Sequence, residues 1–377
     1  MKTAIKVIEQ LQAAGFEAYM VGGAVRDFLL GKIPHDVDVA TSAAPEQVKS
    51  QFARTADIGI EHGTVLVILD DDSIEVTTFR TEGIYSDNRR PDSVEFVQSL
   101  EEDLKRRDFT VNAMAMTKEL DIIDLYGGKN DLENRLIRAV GNPDQRFGED
   151  ALRMLRAVRF TGQLDFAIDL ETLHSIQKQA HLIKSIAVER LKIELDKIMV
   201  NQHTARSMNY LKKAGLTEFL PAGNLFEMDW ENFNPTEKPV SGWLYMLYRQ
   251  KKEVSDIREY KFSNEEKRLM EKALQAARED LWDAWTFYAF SLKQLELAAG
   301  LLERKIDIED MKMQLPIQSK SDLAATGRDL MEWCGQKQGP WLKIWIAKLE
   351  KQIVYGKLQN DKEQIRDWFM DEYHRHA

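Results

Sequence analysis

An internal disulfide is closed to this chain, because its 377 residues include a single cysteine, Cys334. The same scarcity excludes a cysteine-based zinc site. Long apolar runs are missing too: "GTVLVIL" is among the longest, and it suits a buried strand, not a membrane span. The opening "MKTAIKVIEQLQAAGF" is polar throughout, unlike a secretory leader. Together these absences lead us to expect a cytoplasmic protein with no membrane partner. Positive charge is in deficit, with 52 Lys and Arg against 62 Asp and Glu and a net charge of −10. Such a balance argues against wholesale, nonspecific nucleic-acid binding while leaving room for a local basic groove. The seven histidines show no metal-ligand spacing, and no internal repeat or low-complexity tract interrupts the chain.

Hydrophobic residues make up 44% and charged residues 30%, enough apolar material for more than one core. Residues 1–138 read as mixed α/β. "TAIKVIEQLQAAGF" has helical spacing and ends at Gly15. "EAYMVGG", "DVDVA", "GTVLVILDD", "SIEVTTFR", "SVEFV" and "LDIIDLY" read as short strands, and "PEQVKSQFA" and "LEEDLKRRDFTVNAMAM" as helices between them. From about Asp144 onward the periodicity is helical nearly to the end.

Asp36 and Asp38 raise the first chemical question. On a strand, residues two apart share a face, so both carboxylates point one way while Val37 and Val39 point into the core. Adjacent carboxylates repel unless a cation lies between them, and hard oxygen ligands favour Mg2+. Metal ions held this way suit in-line attack at phosphorus. The same spacing also fits solvated acids at a strand end. Gly22 and Gly23, a dozen residues upstream, end a strand and open "AVRDFLLG", which reads as a helix start. There backbone N–H groups can approach an anion and Arg26 can reach a phosphate. Glu75, alternating with Ile74 and Val76, is the candidate third carboxylate, with Asp108 as runner-up.

"GGAVRDFLLG…DVDVATSA", "LKRRDFTVNAMA" and "RFGEDALRMLRAVRF" together resemble the bacterial class II tRNA nucleotidyltransferases, the CCA-adding enzymes, which share their class with bacterial poly(A) polymerases. The tail stretch "TGRDLMEWCGQKQGPWLKIWIAKLEKQIVYGKLQN" is similar to that of the shorter Bacillus-type members. The motif "HDVDVA" carries His35 where many relatives have another acid. The resemblance implies an α/β head with a polymerase beta-like nucleotidyltransferase sheet, followed by all-α neck, body and tail. The corresponding boundaries are 1–138, 139–200, 201–270 and 271–377. It implies Mg2+ as cofactor, CTP, ATP and tRNA as partners, and leaves a homodimer open. Gly23 and Arg26 would then hold the triphosphate, and Asp36 and Asp38 the metal. Arg107 and Asp108 would contact the ribose, and Asp150, Arg153, Arg156 and Arg159 the incoming base and phosphates.

The segment from Glu149 to Phe160 can be read independently of the resemblance. As one helix it gathers Ala151, Met154, Leu155 and Val158 into an apolar stripe. Glu149, Arg153 and Arg156 lie opposite, with Asp150 and Arg159 on the flanks. A carboxylate only accepts hydrogen bonds and a guanidinium only donates them. Cytosine and adenine each present an amino donor beside a ring-nitrogen acceptor, whereas uracil and guanine present the reverse. Asp150 with Arg153 therefore fits C and A; the alternative is a surface ion pair of little consequence.

"RTEGIYSDNRRPDSVEF", with Arg80, Glu82, Asp87, Arg89 and Arg90, reads as a polar connection, and the resemblance makes it a loop that helps the site switch from C to A. Between Lys320 and Lys357, seven cations outnumber four acids, with Trp333, Trp341 and Trp345 interleaved. That stretch is either a phosphate-contacting surface or a helical face over a tryptophan-rich core. A poly(A) polymerase of the same class, a small-molecule nucleotidyltransferase and a non-catalytic RNA-binding helical protein remain as rival readings.

Overall fold

The computed structural model describes residues 1–34, 36–59, 63–69, 72–82 and 94–376. His35, Asp87, Arg89 and Arg90 lie outside the described residues, as does most of the polar connection. Two compact units emerge, one of residues 1–242 with 259–261, the other comprising the remainder.

In the first unit, α1 (Lys2–Ala13) precedes β1 (Ala18–Val21), α2 (Gly23–Leu29), β2 (Asp38–Thr41) and α3 (Pro45–Gln51). Then come β3 (Thr55–Gly59), β4 (Thr64–Leu69), β5 (Asp72–Thr78) and the short ladder of β6 (Arg80–Glu82) with β7 (Val94–Phe96). The α4 helix (Leu100–Lys105), β8 (Met114–Met116), β9 (Ile122–Asp124) and α5 (Gly128–Glu133) complete this α/β portion. The seven-stranded sheet runs in the order β3-β4-β5-β2-β1-β8-β9. The α1 helix packs on it with Ala4, Val7, Ile8 and Leu11, the i, i+3, i+4, i+7 stripe, all fully buried.

Sheet register gathers the chemistry at one end. The antiparallel pairing of β1 with β2 sets Val21 opposite Asp38, so the glycines that follow β1 meet the aspartate that opens β2. The parallel pairing of β2 with β5 aligns Val39 with Val76, which brings Glu75 beside Asp38. On the other flank, β1 pairs antiparallel with β8, Val21 against Ala115, so the residues preceding β8 arrive at the same end.

One expected helix is corrected here. "LEEDLKRRDFTVNAMAM" is helical only over α4; a 3₁₀ turn follows at Thr110–Asn112, and "MAM" is strand β8. Ala and Met favour helices, but Met114, Ala115 and Met116 are fully buried within the sheet, and tertiary packing overrides the propensity.

Strands β10 (Leu136–Ile137) and β11 (Ala167–Ile168) form a two-stranded parallel ladder. Around it lie α6 (Pro143–Glu149), α7 (Leu152–Leu164), α8 (Leu170–Gln179), α9 (Val188–Met199) and α10 (Thr204–Lys213). The expected continuous helix from Glu149 to Phe160 is broken. Asp150 takes φ −138° and ψ 104°, ending α6 and letting α7 start afresh at Leu152. Its carboxylate caps the new helix by accepting the Leu152 N–H at 3.0 Å, a local bond that competes with helix continuation. The stripe of Ala151, Met154, Leu155 and Val158 is fully buried, and α7 packs on α9 and α10.

The second unit is helical, running from α11 (Val240–Arg249), which spans the boundary, through α12 (Asn264–Ala277), α13 (Ala284–Ala289), α14 (Leu292–Leu301) and α15 (Ile308–Met313) to α16 (Gly327–Cys334), α17 (Pro340–Val354) and α18 (Lys362–His376). Capping boxes start α12, α14 and α16, pairing Ser263 with Glu266, Ser291 with Gln294 and Thr326 with Asp329. Trp345 is buried in a core with Phe369, against which Trp333, Trp341 and Cys334 pack. The tryptophans are therefore core residues, although Lys348 stands over the Trp345 ring at 4.5 Å. Among the described residues, no helix is long and apolar enough to cross a membrane.

Candidate active site

A cleft of about 510 Å³ opens in the first unit where the end of the sheet faces α7 and α9. Seven arginines and three aspartates, Asp38, Asp108 and Asp150, are among its lining residues. A local cationic pocket in a chain of net charge −10 is the arrangement a polyanionic substrate needs. The arginines do not simply repel, because each has an acidic neighbour. Arg26 pairs with Asp27, Arg106 and Arg107 with Asp103, Arg153 with Glu149, Arg156 with Asp108, Arg159 with Glu194 and Arg190 with Asp150. The Phe160 ring adds a shared apolar platform, with the guanidinium carbons of Arg159, Arg26 and Arg156 at 4.2, 5.5 and 5.7 Å from its centroid.

The glycine turn is built for close approach. Gly22 adopts φ +71° and ψ −133°, and a Cβ there would stand 3.0 Å from Arg107 Nη1. The conformational demand therefore falls on Gly22, not on Gly23. Because α2 has only seven residues, anion attraction here comes mainly from side chains. Arg26 is 4% exposed; its Nε donates to Asp27 Oδ1 at 2.9 Å and its Nη1 to Asn112 Oδ1 at 2.7 Å.

Asp36 and Asp38 are exposed and Val37 and Val39 buried, but the strand begins only at Asp38; Asp36 precedes it in a bend, and of the two it is Asp38 that lines the cleft. Partial burial and the charge of Glu75 push the Asp38 carboxyl up, Arg107 opposes the rise, and Asp36 adds to it. Negative charge at this edge, only partly offset by Arg107, fits a divalent cation. Among the described residues no group of three or more His, Cys, Asp or Glu forms a ready cage. Two carboxylates with open positions are what Mg2+ uses when substrate phosphates and water supply its other ligands. Glu75 is exposed and neighbours Asp38 electrostatically, outside any closed cluster.

Asp108, the runner-up third carboxylate, is committed elsewhere. Its Oδ2 accepts from Arg156 Nε at 2.8 Å and Nη2 at 2.5 Å, and its Oδ1 from Asn112 Nδ2 at 3.2 Å. Burial pushes its carboxyl up, but the charge and hydrogen bonds of Arg156, with Asn112 and Arg153, outweigh burial and bring the pKa to about 2. A carboxyl held below its unfolded value of about 3.9 contributes stability above that pH and loses it as pH falls toward 2. Asp108→Asn should therefore flatten the loss of stability between about pH 4 and pH 2, by on the order of 2–3 kcal/mol. Urea unfolding of both proteins across that range measures the difference; parallel curves would refute the assignment.

Asp150 and Arg153 are each fixed by neighbouring groups. Asp150 Oδ2 accepts from Arg190 Nη2 at 2.9 Å while Oδ1 caps α7. Arg153, 8% exposed, donates to Glu149 Oε2 at 2.8 Å and to the carbonyls of Arg146 and Arg106 at 3.3 and 3.2 Å. Arg159 donates to Glu194 Oε2 at 2.7 Å. The cleft thus unites Gly23, Arg26, Asp38, Arg107, Asp108, Asp150, Arg153, Arg156 and Arg159. Sequence reasoning missed Arg106, Asn112 and Arg190, which line the same cleft. The Arg106–Arg107 doublet was a usable signal, whereas Arg190 lies in the unremarkable helix "VERLKIELDKIM".

A mixed sheet presenting an acid pair beside a glycine turn, roofed by an arginine-rich helix, defines a nucleotidyltransferase. A family model for the poly A polymerase head domain matches residues 18–138. One for a probable RNA and SrmB-binding site of polymerase A matches 165–224, and one for tRNA nucleotidyltransferase domain 2 matches 236–369. A CCA-adding enzyme of Bacillus cereus is 39% identical, over 97% of this chain and 97% of the relative. The crystal structure of Bacillus stearothermophilus CCA-adding enzyme in complex with CTP has a TM-score of 0.90 and 35% identity, covering 100% of this chain and 98% of that one. Thermotoga maritima CCA-adding enzyme complexed with tRNA shares the fold, with a TM-score of 0.65 at 19% identity over 99% and 95% of the two chains. The chain belongs to the CCA-adding enzyme family.

Proposed function

We propose that this protein completes the 3′ end of tRNA in the cytoplasm, adding C, C and A in turn from CTP and ATP without a nucleic-acid template. The observation that carries this reading is the presence, in one cleft, of Asp38 beside a glycine turn and of a fixed acceptor, Asp150, three residues before a fixed donor, Arg153. The backbone of Gly23 and the remaining donors of Arg26 bind the triphosphate. Arg107 and Asp108 orient the ribose. Asp150 accepts from the amino group of C or A and Arg153 donates to the adjacent ring nitrogen, so U and G meet donor against donor and acceptor against acceptor. Because both side chains are held by neighbours before substrate arrives, they cannot readily reorient to suit the wrong base. Arg156 and Arg159 complete the cationic wall.

Asp36 and Asp38 would hold Mg2+, with Glu75 in support, and the ion when bound lowers the pKa of the terminal 3′-hydroxyl and offsets triphosphate charge. The 3′-hydroxyl of the RNA gives up its proton to solvent, its oxygen bonds to the α-phosphorus as the α–β bridging P–O bond breaks, and pyrophosphate leaves. Head residues 1–138 serve the chemistry and neck residues 139–200 the base. Residues 201–270 and 271–377 hold the tRNA. Incubation with tRNA lacking its terminus, CTP and ATP should yield three added nucleotides and a stop. A long A tract would instead identify a poly(A) polymerase, and incorporation independent of RNA a small-molecule transferase.

A further inference from the structure

We infer that Asn112 is a positioning residue that couples the triphosphate pocket to the sugar pocket, an inference resting on the assignments of Arg26 and Asp108 proposed above. Asn112 ends the 3₁₀ turn Thr110–Asn112 and is 7% exposed. Its amide makes two bonds of opposite sense. Oδ1 accepts from Arg26 Nη1 at 2.7 Å, and Nδ2 donates to Asp108 Oδ1 at 3.2 Å. A guanidinium cannot accept and an ionised carboxylate cannot donate, so the amide can sit only one way round. Asp108 Oδ1 also accepts the Phe109 N–H at 2.8 Å, while its Oδ2 takes Arg156. The result is a continuous chain, Arg26–Asn112–Asp108–Arg156, from the helix after the glycine turn to the helix that roofs the cleft.

The chemistry of position 112 is narrow. A carboxylate would stand against Asp108, and an ammonium or guanidinium against Arg26. An aliphatic side chain of the same size would leave one buried group of each partner without its bond, a loss that such groups do not tolerate cheaply. Only a group that accepts on one side and donates on the other satisfies both. Through it, a sugar hydroxyl that engages Asp108 also fixes the angle at which Arg26 meets the triphosphate. Such coupling is reciprocal, so a bound triphosphate sharpens sugar selection by the same factor.

The test compares single-nucleotide incorporation from CTP and dCTP, on tRNA lacking its terminus and with Mg2+ present, in Asn112→Leu, Asp108→Asn and the double variant. Asn112→Leu should lower the CTP-over-dCTP preference about fivefold to tenfold, the worth of one buried hydrogen bond, mainly through KM for CTP. The double variant should show no further loss beyond Asp108→Asn, since both act through one carboxylate. A merely structural role would depress both nucleotides equally and leave the ratio unmoved. Should Asn112→Leu fail to fold, Asn112→Ala offers the same comparison with a smaller side chain that neither accepts nor donates. An unchanged ratio in the Asn112 variant while Asp108→Asn shifts it would overturn the coupling. An unchanged ratio in Asp108→Asn would overturn the sugar assignment itself, and the coupling with it.

Discussion

Asp38→Ala is expected to lower nucleotide incorporation by about 10³-fold or more while leaving tRNA binding within roughly twofold of the parent. Asp36→Ala should behave alike. Asp38 opens β2 with Asp36 two residues before it, Glu75 stands beside Asp38 in the adjacent parallel strand, and partial burial with Glu75 raises the Asp38 carboxyl. Removing one ligand halves the protein's oxygen donors to a hard cation, and several kcal/mol of transition-state stabilisation depends on that cation. Phosphate contacts to RNA call for cationic side chains, so tRNA binding should not depend on this carboxylate edge. Calorimetric titration with Mg2+ or Mn2+ should show weakened metal binding in both variants, independently of turnover. Filter binding with tRNA supplies the second readout. Full incorporation by either variant would reject the metal assignment.

The second large effect concerns the choice of base. Asp150→Asn replaces an acceptor with a group that can donate, at nearly constant volume, and should reduce discrimination of CTP over UTP by about 10- to 100-fold. An unpaired buried polar group costs on the order of 1–3 kcal/mol, and the substitution removes one such mismatch for uracil while creating one for cytosine. Arg153→Gln should act in the same direction but with poorer folding. Arg153 also holds Glu149 and two backbone carbonyls, so its removal loosens the junction of α6 with α7. Competition between labelled CTP and UTP measures the ratio, and a parallel thermal melt separates selectivity from stability. Unchanged selectivity in a folded Asp150→Asn protein would exclude the base-reading scheme.

Much of this site was legible before any fold was drawn. A strand ending in two glycines, a D-x-D with valines between and after, and amphipathic helices from Asp144 onward all follow from local periodicity and sterics. The resemblance to tRNA nucleotidyltransferases rested on the same motifs, and the family membership agrees with it. Less legible was the stretch "NAMAM", where helix-favouring residues enter a strand because both their faces are buried. The break at Asp150 was hidden as well, since acid and arginine at i and i+3 fit an uninterrupted helix equally well.

What the amino-acid order determined by itself was the inventory: most of the strand and helix segments, and which carboxylates and arginines they carry. Their partnerships were decided only by tertiary structure. Arg26 meets Asn112 across 86 residues, Arg156 meets Asp108 across 48, Arg190 meets Asp150 across 40 and Arg159 meets Glu194 across 35. No local rule links positions so far apart. Sheet register brings β1, β2, β5 and β8 to a common edge, and the packing of α9 on α7 delivers Arg190 and Glu194 from one face. Spacing along a chain fixes which way a side chain points, whereas its electrostatic environment depends on neighbours that only the folded packing supplies.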